Sequence, residues 1–375
     1  MLISNLQPIK TTLGKLKEIP DTFFKKLEAA NVFDNNLFPE WITNIQGDPI
    51  VFGKNTELRN RFQAIFDKYK IIQDKTEREK IVNAYFDTNK IIGLCNNDSH
   101  IHCFELDDLH SDIRKEINDA FLYLYRSALN HLPFEQMVND NIKNSLRNFS
   151  KLNNIDVCPF CGLEMFYLLD GQAKLPLDHW LNKDRYPFAS INFDNLVPIG
   201  TDCNSNGVKG SKNVLKDIKI RPKKRAFYPY AVNGGFNISI ICKEEPSINN
   251  ESGDWDFSIK PAQATENDFF ESWDYIFNIT KRYKSFFFDI LIPKWKDYYV
   301  EYINNVEDGI KAAHAQNIDE FKQNLRQWRK TFEDKKIPAS FIYKKFIDYL
   351  LNSATENYLV GEVENFKSKL KAGVI

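Results

Sequence analysis

Between Cys158 and Lys212 the residues able to do chemistry stand in an ordered series. They read Cys158-Pro159-Phe160-Cys161-Gly162, Leu177-Asp178-His179-Trp180, Asp194-Asn195-Leu196-Val197-Pro198, Cys203-Asn204-Ser205-Asn206 and Lys209-Gly210-Ser211-Lys212. Two thiolates two residues apart, on a tight turn closed by glycine, make half of a tetrahedral zinc site. A redox pair would instead open a helix after a strand. Here Leu163 to Leu169 reads as extended and Asp170-Gly171 as a hairpin turn, which favours a zinc knuckle. The partner strand, about Lys174 to Trp180, ends in Asp178-His179. Neighbours in a strand point to opposite faces, so the two do different work. An aspartate can hold a hard divalent cation through oxygen. A neutral histidine can take a proton from water near pH 7. Together they form a hydrolytic pair suited to a phosphodiester.

The residues that follow extend the pair into a site. Asn195 sits in a loop, where its amide can bond backbone groups and stiffen the surroundings. Cys203-Asn204 is expected to open a short helix, from which Asn204 can give a second oxygen to a cation on Asp178. A β-hairpin followed by a helix, with a metal clasped between them, is the expected local structure.

In these elements, about residues 156–215, the chain resembles the HNH endonucleases, the ββα-metal family with a treble-clef zinc variant. The resemblance implies Asp178 as a ligand of catalytic Mg²⁺ (or Mn²⁺) and His179 as the general base. It implies Asn195 as the middle, structural asparagine and Asn204 as the metal ligand after the last cysteine. Asn206 is a rival for that last role, standing three residues before Lys209. Zinc-bearing members carry a second Cys-x-x-Cys, which would put a cysteine at Gly200. Only Cys203 is present, so Cys158, Cys161 and Cys203 leave a structural Zn²⁺ one ligand short. The fourth position falls to Asp202, to a distant Cys or His, or to water; alternatively the knuckle has lost zinc and is held by packing.

A run of positive charge follows: Lys209, Lys212, Lys216, Lys219, Arg221, Lys223, Lys224 and Arg225, against the single acid Asp217. Such runs are usually solvated faces. A net charge of −1 draws no nucleic acid globally, so a nuclease of this composition needs a local strip, and this one is read as contacting the DNA backbone. Phe227-Tyr228-Pro229-Tyr230 can stack on bases or pack into a core.

The remainder must position these residues. At 375 residues and 43% hydrophobic content the chain can build two or three cores. Residues 1–150 read as a helical domain, with stripes at Phe62, Ile65, Phe66 and Tyr69, at Ile113, Ile117, Phe121, Leu122 and Tyr125, and a further helix from about Phe134 to Phe149. Residues 151–235 form the nuclease core. Residues 236–375 read as two strands, Phe236–Cys242 and Trp255–Ile259, followed by a helical domain with stripes at Phe269, Trp273 and Phe277 and at Phe321, Leu325, Trp328 and Phe332. The fold class is α+β: a mainly helical protein with a central ββα-metal core and a small antiparallel β element. Cys95, His100, His102 and Cys103 match no common zinc spacing and read as a turn between short apolar strands. No basic segment precedes a long apolar run at the N-terminus, and no apolar run reaches bilayer length, so a cytoplasmic protein without membrane partners is expected.

HNH cores in chains of this size with helical flanks resemble the effector nucleases of bacterial anti-phage defence systems. Some of these work beside an ATPase. No phosphate-binding Gly-x-x-x-x-Gly-Lys-Ser/Thr loop occurs here, so such a subunit would be a separate chain. Restriction or mobile-element nuclease, RNase, and non-catalytic zinc-knuckle nucleic-acid-binding scaffold are the other readings of the same residues.

Overall fold

The computed structural model describes residues 6–43, 56–166, 168–169, 172–173, 177–216, 225–231, 234–247, 250–305, 315–333 and 337–371. Among them the chain is mainly helical, with three two-stranded antiparallel sheets. Its contacts group it into two compact units. One holds 4–154 and 167–233; the other holds 155–166 and 234–375. The segment 151–235 is thus shared between them.

In the first unit the helices are α1 (Glu18–Lys26), α2 (Glu40–Thr43), α3 (Thr56–Ile71), α4 (Lys75–Thr88), α5 (Ile91–Cys95), α6 (Ser111–Tyr123), α7 (Leu132–Val138) and α8 (Ile142–Asn153). Phe62, Ile65 and Tyr69 of α3 and Ile113, Ile117 and Phe121 of α6 are fully buried in one core. Helix α6 runs on into a π-helical turn, Leu124–Ala128. The single helix expected from Phe134 to Phe149 is two. Asn139 ends α7 in the left-handed region, and the Asn141 side chain caps α8 by accepting from the Asn144 amide. Cys95 closes α5 where a strand was expected, and the chain turns at Asn97 with positive φ.

Strands β1 (Leu168–Leu169) and β2 (Gln172–Ala173) pair with each other; Asp170, Gly171 and Lys174 to Pro176 lie outside the described residues. Strand β3 (Leu177–His179) takes a different partner from the one expected. It pairs with β4 (Leu196–Pro198), Asp178 opposite Val197 and His179 opposite Leu196. The Trp180 amide donating to the Asn195 carbonyl at 2.7 Å continues the ladder and closes the loop 181–194.

Phe188 drives that loop into the helical core, meeting Phe24, Tyr85 and Phe121 edge-on at 5.2–5.5 Å between ring centroids. Ser190 donates its hydroxyl to the Phe121 carbonyl, and Asn192 donates to the Asn89 carbonyl. Helices α4 and α6 therefore set where the loop, and with it the end of β3, can lie.

In the second unit β5 (Phe236–Glu244) pairs with β6 (Asp254–Pro261). The helices are α9 (Asn267–Phe277), α10 (Ile279–Ser285), α11 (Ile292–Asn305), α12 (Ile318–Thr331), α13 (Ser340–Asn352) and α14 (Glu356–Lys371). Their aromatic stripes face inward: Trp273, Phe277, Tyr283, Trp295, Phe321 and Phe346 are all buried. Among the described residues no helix is long and apolar enough to cross a membrane.

Candidate active site and metal centre

The knuckle lies in the second unit. Val157 bridges to Met165, and the Cys158 amide donates to the Glu164 carbonyl at 2.9 Å, so 157–165 is a closed hairpin. Gly162 turns it with φ +63, and a Cβ there would meet the Phe341 ring at 2.8 Å. Three of its carbonyls are taken by donors from the later helical region. Trp273 Nε1 donates to Phe160 O at 2.8 Å, Tyr283 Oη to Cys161 O at 2.8 Å, and the Ala339 amide to Gly162 O at 2.6 Å.

The Cys161 sulfur accepts from the Leu163 amide at 3.4 Å and lies 3.6 Å from the Arg282 guanidinium. Donors aimed at a sulfur favour the thiolate, the form that binds zinc. Cys158 and Cys161 are buried, and their sulfurs and a Glu164 carboxylate oxygen lie within 4.8 Å of one another. These three donors fit a metal such as zinc. Glu164 was not among the ligands expected from the sequence, although Cys-x-x-Cys-x-x-Glu repeats the knuckle's own spacing once more. Cys203 is buried in the first unit, and its carbonyl accepts from the Lys209 amide. Among the described residues, Cys95, His100, His102 and Cys103 form no metal-spaced group; Cys103 instead meets the Tyr186 hydroxyl at 3.6 Å.

The Asp-His pair lies in the first unit, at the end of β3. His179 is buried, and its Nε2 is 3.0 Å from the Ser190 carbonyl. A carbonyl only accepts, so Nε2 carries the hydrogen. Burial pushes the imidazole down to about 3, against the pull of that bond. The ring is therefore neutral at pH 7, with Nδ1 as its lone-pair nitrogen. Tyr125, from the π-helical turn, packs edge-on against the imidazole at 4.3 Å and donates its hydroxyl to the Leu177 carbonyl. Burial and then Asp178 push that phenol up, which keeps it a donor. The sequence placed Tyr125 only on an apolar stripe; the widened turn that aims it has no composition signature.

Asn195 is fully buried. Its Oδ1 accepts from the Leu181 amide at 2.6 Å, and its Nδ2 donates to the carbonyls of Leu181 and Ala189 at 3.1 Å each. One side chain thus holds both ends of the loop that presents the Ser190 carbonyl to His179.

Asp178 is mostly buried, and its Oδ2 lies 2.5 Å from Lys209 Nζ. Burial pushes this carboxyl up, and Lys209 only partly opposes the rise. One ammonium leaves the buried carboxylate under-compensated, which is the environment a further cation relieves.

The segment after Cys203 is a chain of turns where a short helix was expected. Asn204, Ser205 and Asn206 compete for backbone partners, and Gly207 and Gly210 weaken any helix. Gly210, at φ +43, lies against the Asn206 backbone, where a Cβ would come within 2.8 Å. Asn204 is half-buried and Asn206 exposed on these turns.

The basic strip is divided. Lys209 is buried against Asp178, and Lys216 pairs with Glu105. Lys212 is half-buried and Arg225 exposed. Lys219, Arg221, Lys223 and Lys224 lie outside the described residues. Phe227 and Tyr228 are buried, and the hydroxyls of Tyr228 and Tyr230 donate to the carbonyls of Asp194 and Leu196. These aromatics brace β4 and its approach and are not free to stack on bases.

No known family model, curated protein or solved structure matches this chain.

Proposed function

We propose that the chain is a metal-dependent endonuclease of the HNH type that hydrolyses DNA phosphodiester bonds. The observation that carries this reading is the setting of His179. Its Nε2–H is spent on the Ser190 carbonyl, which leaves Nδ1 to accept a proton from an attacking water. Ser190 is itself fixed through Asn195 and α6. An inert polar strand end has no use for an imidazole oriented at one nitrogen and clamped behind the other.

Asp178 would hold Mg²⁺ or Mn²⁺, with Asn204 as second oxygen donor and Asn206 as its rival. The cation would supply charge to stabilise the leaving oxygen. Cys158, Cys161 and Glu164 would hold a structural Zn²⁺, with Cys203 added by the family resemblance. Lys212, Lys219, Arg221, Lys223, Lys224 and Arg225 remain the proposed DNA-backbone contacts. The setting that fits best is the effector of a bacterial anti-phage defence system, partnered by a separate ATPase. A restriction or mobile-element role is the alternative setting, and RNA an alternative substrate.

A second reading has one observation in its favour. Asp178 already pairs with the Lys209 ammonium, as a carboxylate does in a non-catalytic nucleic-acid-binding scaffold. Plasmid nicking with Mg²⁺ or Mn²⁺ separates the two. Wild type should nick, and His179→Ala should lose about 10²–10⁴-fold in rate, the usual worth of a positioned general base. Equal inactivity of both proteins on DNA and RNA with every divalent metal would leave the scaffold standing.

A further inference from the structure

Lys209 has no solvent to stabilise its charge: its side chain is completely buried. Its Nζ lies 2.5 Å from Asp178 Oδ2, donates to the His179 carbonyl at 2.9 Å, and sits 5.6 Å from the centre of the Trp180 ring. All three contacts fall on consecutive residues at the end of β3. A buried ammonium survives only with such pairing. A lysine meant for a phosphate backbone would gain nothing from it.

We propose that Lys209 is the resident counter-cation of Asp178 and leaves it when a divalent metal loads, so that Lys209 sets the metal concentration at which the site fills. This rests on the reading of Asp178 as a metal ligand. A metal bound to a carboxylate oxygen sits at about 2.1 Å from it. An ammonium on the same oxygen would then lie within roughly 4–5 Å of a dication, in a setting that screens charge poorly. The two cations compete for one carboxylate. Lysine suits an exchangeable counter-ion, because its charge sits at the tip of a flexible stem and makes no bidentate fork. The backbone around it can yield as well. Lys209 stands between Gly207, whose Cβ position is open space, and Gly210, in the left-handed region.

The experiment is Mn²⁺ binding to the zinc-loaded full chain, without nucleic acid and at fixed pH, read from the paramagnetic resonance of free Mn²⁺. Lys209→Met, which keeps length and removes charge, should bind Mn²⁺ roughly tenfold tighter or more than wild type. Lys209→Arg should bind no tighter than wild type. In the wild-type protein, Lys209 should resist acylation by an amine-reactive ester in metal-free buffer and become labelled with Mn²⁺ present, as read by peptide mass spectrometry. That arm decides the matter if Lys209→Met does not fold. If Asp178→Asn leaves Mn²⁺ affinity unchanged, the metal-ligand reading fails and takes this proposal with it. If Asp178→Asn abolishes binding but Lys209 stays protected with metal and its removal tightens nothing, only the counter-cation role is overturned.

Discussion

The knuckle and the Asp-His site satisfy their polar groups in opposite ways. The knuckle's carbonyls are held from far along the chain, by Trp273, Tyr283 and the Ala339 amide, more than a hundred residues later. The Asp-His site is held mainly from nearby sequence: Ser190 for His179, Asn195 for the loop, Lys209 for Asp178. The hairpin closes on itself, but its outward carbonyls find their donors only when its unit has folded. The strand end closes its own polar contacts over shorter stretches of chain, on a loop whose place α4 and α6 set. The first arrangement suits a fixed support. The second suits a site whose contacts can be exchanged, such as the one between Lys209 and Asp178.

Zinc removal should give the largest effect. Chelation, or Cys161→Ser, should destabilise the knuckle's unit by about 5 kcal/mol, below the roughly 10–16 kcal/mol of metal-dependent finger peptides, because the helices keep a core of their own. Tryptophan fluorescence during denaturant unfolding reads this, since Trp273 bonds directly to the knuckle. A chelated protein that unfolds at the same denaturant concentration, with zinc content near zero throughout, would mean that packing alone holds the knuckle.

Asn195→Ala should come next. It removes three buried hydrogen bonds and strands the Leu181 amide and two carbonyls, a loss of about 3 kcal/mol. Circular dichroism melts measure it. The contrast between regions predicts that the loss reaches His179 as well, because the same amide holds the carbonyl-bearing loop. A cost below about 1 kcal/mol would mean that Phe188 and α6 hold the loop unaided.

Both regions were legible in the sequence where local pattern decides structure. The stripes of α3 and α6 and the alternation of β5 and β6 could be read because one buried face repeats at a fixed period. The Asp178-His179 strand end and the Cys-x-x-Cys knuckle could be read from residue type and spacing. The strand partner could not. Pairing β3 with β4 requires Asn195 and Phe188 to fold back a loop on helices far upstream. The turns after Cys203 replaced a helix because two glycines and a polar cluster outweighed a cysteine-asparagine start. In the sequence Lys209 reads as one member of a charge run that contacts the DNA backbone. Only the buried partner of one sign and the Trp180 ring give it another role, and neither is adjacent in sequence. Glu164 stands out little in the sequence, because a carboxylate beside a knuckle carries less signal than a thiolate.

Glu105 supplies the exception that sharpens the contrast, and the smallest expected effect. It belongs to the loop before α6, yet it pairs with Lys216 and Arg185 and accepts from Asn213, so it ties the chain just beyond the Lys209 turns from more than a hundred residues away. Burial pushes its carboxyl up, but Lys216 and then Arg185 pull it further down, and the net position is below the usual glutamate value of 4.5. A carboxyl lowered on folding contributes stability above its unfolded value and loses it as pH falls through the folded one. The stability difference between wild type and Glu105→Gln should therefore be constant near pH 7 and shrink below about 4.5. Arg185 is half exposed, so solvent screens the pairing and the difference should not exceed about 1 kcal/mol. Denaturant midpoints across pH 3–7 measure it. A difference that grew on acidification would mean that Glu105 is held protonated in the folded chain, and the turns after Lys209 would then be tied by local contacts alone.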